Sequence, residues 1–177
     1  MKRFGFGAMR LPMLDGEVDK AQFCAMIDEF LAAGFTYFDT AHGYLDGKSE
    51  LAIRDCLCAR YPRESFQLAD KLSAGFFKTR EEVLPFFEEQ LRYFDYYLIH
   101  AMSAERYDFY REVGAFDIIP QLKREGRVRH FGMSFHDKAE VLDRILTEHP
   151  ELEFVQLQFN YLDYEDPVVE SRKCYEV

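Results

Sequence analysis

Six short apolar runs alternate with stretches of helical periodicity along this chain, and that alternation restricts its fold more than any other feature. The runs cover residues 4–9, 35–40, 66–72, 96–102, 128–134 and 154–160, each of strand length. Between the first two, Phe23, Met26, Ile27, Phe30 and Leu31 recur at helical spacing. Asp19 is the candidate N-cap, Gln22 takes the capping-box position and Gly34 ends the helix. Leu51, Ile53 and Leu57 predict a second helix from about Ser49-Glu50. Thr79 and Glu82 form another capping box, with Pro85 placed to shorten or kink the helix that follows. Residues 103–114 read as a long connection before a helix over 116–125 that Gly126 stops. Asp137 with Glu140 predicts the cap of a helix reaching Glu148, closed by His149-Pro150, and a sixth helical pattern occupies 171–175.

Strands alternating with helices form βαβ units on a parallel sheet. Right-handed crossovers then leave an open doubly wound sheet or a (β/α) barrel. Gly5-Phe6-Gly7 starts a dinucleotide-loop pattern, but Arg10 stands where its third glycine belongs, so the segment reads as a tight backbone turn. The barrel is favoured because polar residues recur at successive strand ends. Asp39 ends the second run and Tyr44 follows in a glycine-containing loop; Lys71 and His100 end the next two. One Asp, Tyr, Lys and His so placed can form a single proton-donating site.

A closed (β/α)8 barrel takes roughly 250 residues, whereas this chain has 177. The expectation is a single incomplete α/β domain over 1–177, a (β/α)8 TIM barrel truncated after about strand six. Its two open sheet edges would favour self-association. A fragment of a longer protein, a truncated product and a barrel completed between chains all fit; the fragment is the favoured reading.

With 22 basic against 32 acidic residues the formal charge is −10, which argues against a nucleic-acid or anionic-membrane partner. No apolar run reaches the ~20 residues of a membrane span. The four cysteines show no metal-ligand spacing, and Cys56 and Cys58 would not share a helix face. With no leader-like start, these features predict a reduced, cytoplasmic protein without a metal site.

Each candidate has a plainer explanation when taken alone. Tyr44 could be a surface aromatic, Lys71 a solvated strand end, His100 a satisfied core histidine and Asp39 a turn cap. Their joint placement favours a site. Asp70, next to Lys71, should point to the opposite face of its strand.

The segments Phe38-Asp39-Thr40-Ala41-His42-Gly43-Tyr44, Leu68-Ala69-Asp70-Lys71 and Tyr97-Leu98-Ile99-His100 together resemble the aldo-keto reductases. So do the runs from Gly126 to Ser134 and from Val155 to Tyr161, in the family's order and spacing. The runs from Phe4 to Pro12 and Gly47 to Glu50 look most like a bacterial and archaeal branch. Its members often carry a ferredoxin-like domain after the barrel, and nothing of that domain is expected within this sequence. The resemblance implies a catalytic tetrad at Asp39, Tyr44, Lys71 and His100, with nicotinamide-side contacts at Ser134 and Gln156. Many members have Asn after that serine; Phe135 stands there, with His136 as a candidate substitute.

The implied reaction is reduction of a small aldehyde or ketone by NADPH, with NADH not distinguished, and with a tyrosine supplying the proton. A phenol is a weak acid, with an ordinary pKa of about 10, and a neighbouring ammonium stabilises its anion. Two other readings stay open. One is a nucleotide-binding or regulatory barrel subunit without turnover; the other is a lyase or isomerase using Lys71 as a Schiff-base amine.

Overall fold

The computed structural model describes residues 4–91, 93–162 and 164–177. The first half runs β1 (Gly5–Gly7), β2 (Met13–Leu14), β3 (Glu17–Val18), α1 (Lys20–Ala32), β4 (Tyr37–Asp39), α2 (Lys48–Ile53), β5 (Gln67–Leu72) and α3 (Arg80–Glu89). The second half runs β6 (Phe94–Met102), α4 (Ala104–Glu112), α5 (Ala115–Arg124), β7 (Val128–Phe135), α6 (Ala139–Glu148), β8 (Phe154–Leu157) and α7 (Ser171–Glu176). Among the described residues the main sheet has six strands in the order β1-β4-β5-β6-β7-β8. Every pairing in it is parallel. This is the expected run of consecutive strands from a (β/α)8 barrel.

The two faces of the sheet carry different chemistry because strand residues alternate. Phe38, Leu68, Tyr97, Phe131 and Met133 face the helices and are buried. Phe30 of α1 packs edge-on against Phe38 at 5.1 Å and against Phe6 at 5.4 Å. Burying each such ring stabilises by roughly 2–3 kcal/mol. On the other face, the Tyr96 ring meets Tyr37 at 5.3 Å, His130 at 5.0 Å and Phe154 at 5.4 Å. Two glycines make room for these rings. A Cβ on Gly5 would stand 2.7 Å from the Tyr37 ring, and one on Gly132 would stand 2.5 Å from the Phe154 carbonyl oxygen.

The helix signals divide into those the structure repeats and those it redirects. Asp19 Oδ1 accepts from Gln22 N at 3.0 Å. Thr79 and Glu82 form the expected capping box, and α3 runs through Pro85 to Glu89 without a break. Asp137 does not cap α6, whose N-cap is Lys138. It turns to another element: Asp137 Oδ2 accepts from Ala104 N at 2.8 Å, which satisfies a free amide in the first turn of α4. That helix lies inside the stretch read as a long connection. Its sequence, AERYDFYRE, is largely polar and buries only Tyr107 and Tyr110.

Gly5-Phe6-Gly7 is strand β1, inside the run expected over 4–9, and the turn read for this segment follows it at Ala8-Met9. The last strand stops at Leu157 rather than reaching Asn160. The short antiparallel hairpin of β2 and β3 was not anticipated. The helix begun by α2 widens over Arg54–Cys58, where Ala59 N reaches back to Arg54 O at 2.9 Å. Among the described residues no helix is long and apolar enough to cross a membrane. No group of three or more His, Cys, Asp or Glu could hold a metal there.

Gly132→Ala is expected to lower stability by about 1–3 kcal/mol, because its Cβ would press on backbone as well as on a ring. Gly7→Ala, where an added Cβ meets nothing within 4 Å, should stay within about 0.5 kcal/mol. Urea unfolding of the two variants checks the contrast.

Candidate active site

Parallel pairing brings the C-terminal ends of β4, β5 and β6 side by side, and the four catalytic candidates gather there. Lys71 is only 1% exposed. A buried ammonium must be compensated, and two groups from β4 and the residue after it do so. Asp39 Oδ1 and Thr40 O each accept from Lys71 Nζ at 2.7 Å. An ammonium has three donors, so one N–H remains beyond these two bonds. The Tyr44 ring lies beside it, its centroid 4.8 Å from Nζ.

Tyr44 is carried on a tightly wound turn, Tyr44–Gly47, that links β4 to α2. Leu45 and Asp46 adopt φ of 52° and 54°. Left-handed backbone costs a residue with a Cβ roughly 1–2 kcal/mol. Bonds on both sides hold the turn. Ser49 Oγ donates to Ala8 O at 2.8 Å, so the 2.7 Å contact between Thr40 Oγ1 and Ser49 Oγ has the threonine as donor. Lys48 Nζ donates to Gly16 O at 2.6 Å and pairs with Glu17 at 2.7 Å.

His100 sits at an irregularity in β6. The register with β7 shifts between Ile99 and Met102, and Ala101 has φ 51°. Such a bulge re-aims the neighbouring side chain. Ser134 Oγ accepts from Ala101 N at 2.7 Å, and Tyr110 Oη donates to His100 O at 2.8 Å. The His100 ring packs edge-on against Tyr44 with centroids 5.7 Å apart. Its Nδ1 is 2.7 Å from Ser73 Oγ. Burial, then the charges of Lys71 and its neighbours, push the imidazole down to about 3, so it is neutral at physiological pH.

The two predicted cofactor-side residues join the same group. Gln156 of β8 donates from Nε2 to Asp39 Oδ2 at 3.3 Å. Tyr44, Lys71, His100, Ser134, His136 and Gln156 line one cavity of about 210 Å³. Phe135, in contrast, is buried away from solvent, whereas the next residue, His136, reaches the cavity. Sequence reasoning passed over Ser73 and Tyr110. Ser73 had a signal: it lies two residues beyond Lys71, on the same face of an extending strand. Tyr110 had none, because its helix was not foreseen.

A model of the aldo/keto reductase family matches residues 3–177. The chain belongs to the aldo/keto reductase family. A 74-residue stretch, 40% of the chain, is 35% identical to norsolorinic acid reductase B of Aspergillus parasiticus and covers 19% of that protein. Among solved structures, the thermostable aldo-keto reductase Tm1743, in complex with the inhibitor epalrestat, aligns over 99% of this chain and 64% of its own. Its TM-score is 0.78 at 22% identity. An aldo/keto reductase from Brucella melitensis gives a TM-score of 0.65 at 25% identity, over 88% of this chain and 57% of that one. An aldo-keto reductase from Klebsiella pneumoniae in complex with NADPH gives 0.63 at 21% identity, over 96% and 60%. The chain therefore spans 57–64% of the length of these solved relatives.

Behind the aldo/keto reductase cavity, on the helix side of β5, lies a second set of buried polar groups. Asp70 does point away from Lys71's side chain, as strand alternation requires, and is fully buried. Its Oδ1 accepts from Lys71 N at 2.7 Å, but among the described residues Oδ2 has no donor. Glu50 faces it, already accepting from Gln90 Nε2 at 2.8 Å and pairing with His42 Nδ1 at 2.9 Å. Two carboxylates offer each other no proton, whereas a protonated Asp70 can donate to Glu50 and leave no orphan. Burial, then the Glu50 charge, raises the Asp70 pKa well above its ordinary value.

That shift fixes a pH dependence. A carboxyl whose folded pKa is raised contributes stability below its unfolded value of 3.8 and loses it as pH rises through the folded value. Asp70→Asn in this aldo/keto reductase chain keeps a donor toward Glu50 and cannot ionise. It should match the parent near pH 4 and be more stable by about 1–3 kcal/mol near pH 8. Urea titrations at several pH values measure the difference.

Proposed function

We propose that this chain forms the proton-donating part of a nicotinamide-dependent reductase of aldehydes or ketones, with Tyr44 as the acid. The observation that carries the reading is the Lys71 ammonium beside the Tyr44 ring, held by Asp39. Negative charge that builds on the phenol oxygen as its proton leaves is stabilised by that ammonium. Asp39 keeps the ammonium in place, and Gln156 keeps Asp39 in place. His100, neutral and next to Tyr44, offers an imidazole nitrogen to the carbonyl oxygen that takes the proton.

The cofactor assigned is NADPH, following the ligand of the Klebsiella pneumoniae relative. Bound, it supplies a hydride to the carbonyl carbon. The residues at the cavity fit its carboxamide. Ser134 Oγ already accepts from Ala101 N, so its hydroxyl proton is left to donate. Gln156 already donates to Asp39, so its side-chain oxygen is left to accept. In this reading the chain is part of a longer barrel, because it spans only 57–64% of its solved relatives. The remaining length would supply the grip on the phosphates.

NADPH consumption with a panel of aldehydes tests the proposal. Tyr44→Phe should lower kcat/KM by about 10²–10⁴, and Lys71→Met should do at least as much. Full activity in Tyr44→Phe would remove Tyr44 as the acid. Calorimetric binding of NADPH with no turnover of any carbonyl would favour a nucleotide-binding subunit instead.

A further inference from the structure

We propose that Ser73 is a positioning residue: its hydroxyl donates to His100 Nδ1 and so fixes the imidazole with its proton on Nε2, facing the cavity. The argument starts from burial. Ser73 is 3% exposed, and its Oγ lies 2.7 Å from Nδ1, where either atom could donate. A neutral imidazole carries one N–H. If Nδ1 held it, Ser73 would act as acceptor and its own proton would need another buried partner. Among the described residues the partner of that hydroxyl is Nδ1 itself. Leaving a buried hydroxyl proton unmatched disfavours that tautomer by roughly tenfold or more. Donation from Ser73 leaves no such orphan.

The backbone around the pair is built to hold it. Tyr110 Oη sits 3.1 Å from Leu72 O and 2.8 Å from His100 O, and it accepts from Ala74 N at 3.0 Å. One side chain thus grips the residues on both sides of Ser73 together with His100. The separation of hydroxyl and ring is set by that clamp and by the bulge at Ala101.

The consequence rests on the reductase reading of His100. With Nε2 protonated, the ring presents a donor to a carbonyl oxygen. With Nδ1 protonated, it would present a lone pair and repel that oxygen. The tautomer itself is independent of whether the chain turns anything over.

The test is two-bond ¹H–¹⁵N correlation of the histidine rings in the ¹⁵N-labelled chain, with His100 assigned through His100→Gln. The expected result is the Nε2–H form between about pH 5 and 8. Ser73→Ala should give a mixture or the Nδ1–H form, and Ser73→Thr, which keeps the hydroxyl, should restore the parent spectrum. An Nδ1–H form in the parent, or an unchanged tautomer in a folded Ser73→Ala, overturns the proposal. Where turnover is measurable, Ser73→Ala should lower kcat at least tenfold, leave NADPH affinity unchanged and recover in Ser73→Thr. An Nε2–H tautomer that depends on Ser73, in a chain that reduces no carbonyl, upholds the Ser73 assignment and removes the reductase reading.

Discussion

An ammonium buried to 1% exposure at the end of β5 constrains everything around it. Lys71 can occupy that place only because Asp39 and Thr40 reach it from the neighbouring strand. Removing one partner of a buried ion pair typically costs about 3–5 kcal/mol, since the other charge is left stranded. The pair thus locks β4 to β5 at the rim where chemistry is proposed. Gln156 extends the lock to β8, 117 positions further along the chain from Asp39. The ammonium's remaining donor and the Tyr44 ring beside it are by-products of that same compensation.

Around this centre the fold carries local irregularities of the kind that cluster at functional sites. Leu45, Asp46 and Ala101 all take positive φ without being glycine. The first two shape the turn that brings Tyr44 over Lys71; the third accompanies the bulge that aims His100. Ser49, just beyond the turn, anchors it to Ala8, and Ala101 N donates to Ser134 while Tyr110 holds the His100 carbonyl before it. Behind the sheet, Glu50 links His42, two residues before Tyr44, to Gln90, which in turn accepts from Tyr97 at 2.5 Å and donates to Lys71 O at 3.3 Å. The loop with the phenol and the strand with the ammonium are braced by one buried network.

Legibility followed the range of the forces involved. Capping at Asp19 and Thr79 is local, and both caps formed as the sequence indicated. Asp137 has the same local signature, yet its carboxylate bonds an amide of α4, because that helix end lies within reach in space. The helix over 104–112 was hidden since packing on Tyr107 and Tyr110, rather than an apolar stripe, sustains it. Gly132 looked like any strand glycine; its reason is the approach of Phe154 from the next strand. Among site residues, Asp39, Tyr44, Lys71 and His100 could be grouped because parallel βα units place strand ends together. Ser73, two residues beyond Lys71, shares that strand-end placement but meets His100 only across strands, and Tyr110 lies on a helix with no apolar stripe to reveal it.

The sequence by itself determined the alternation of strands and helices, the side of the sheet on which polar residues collect and the family to which the chain belongs. Period and order along the chain carry that information, and both are properties of a one-dimensional string. Only the tertiary structure decided which atoms meet. It paired Lys71 with Asp39, set Gln156 against that carboxylate, left Asp70 facing Glu50 and brought the Ser73 hydroxyl to His100. Those contacts depend on distances between strands and on the exclusion of water, which exist only once the sheet has closed over them.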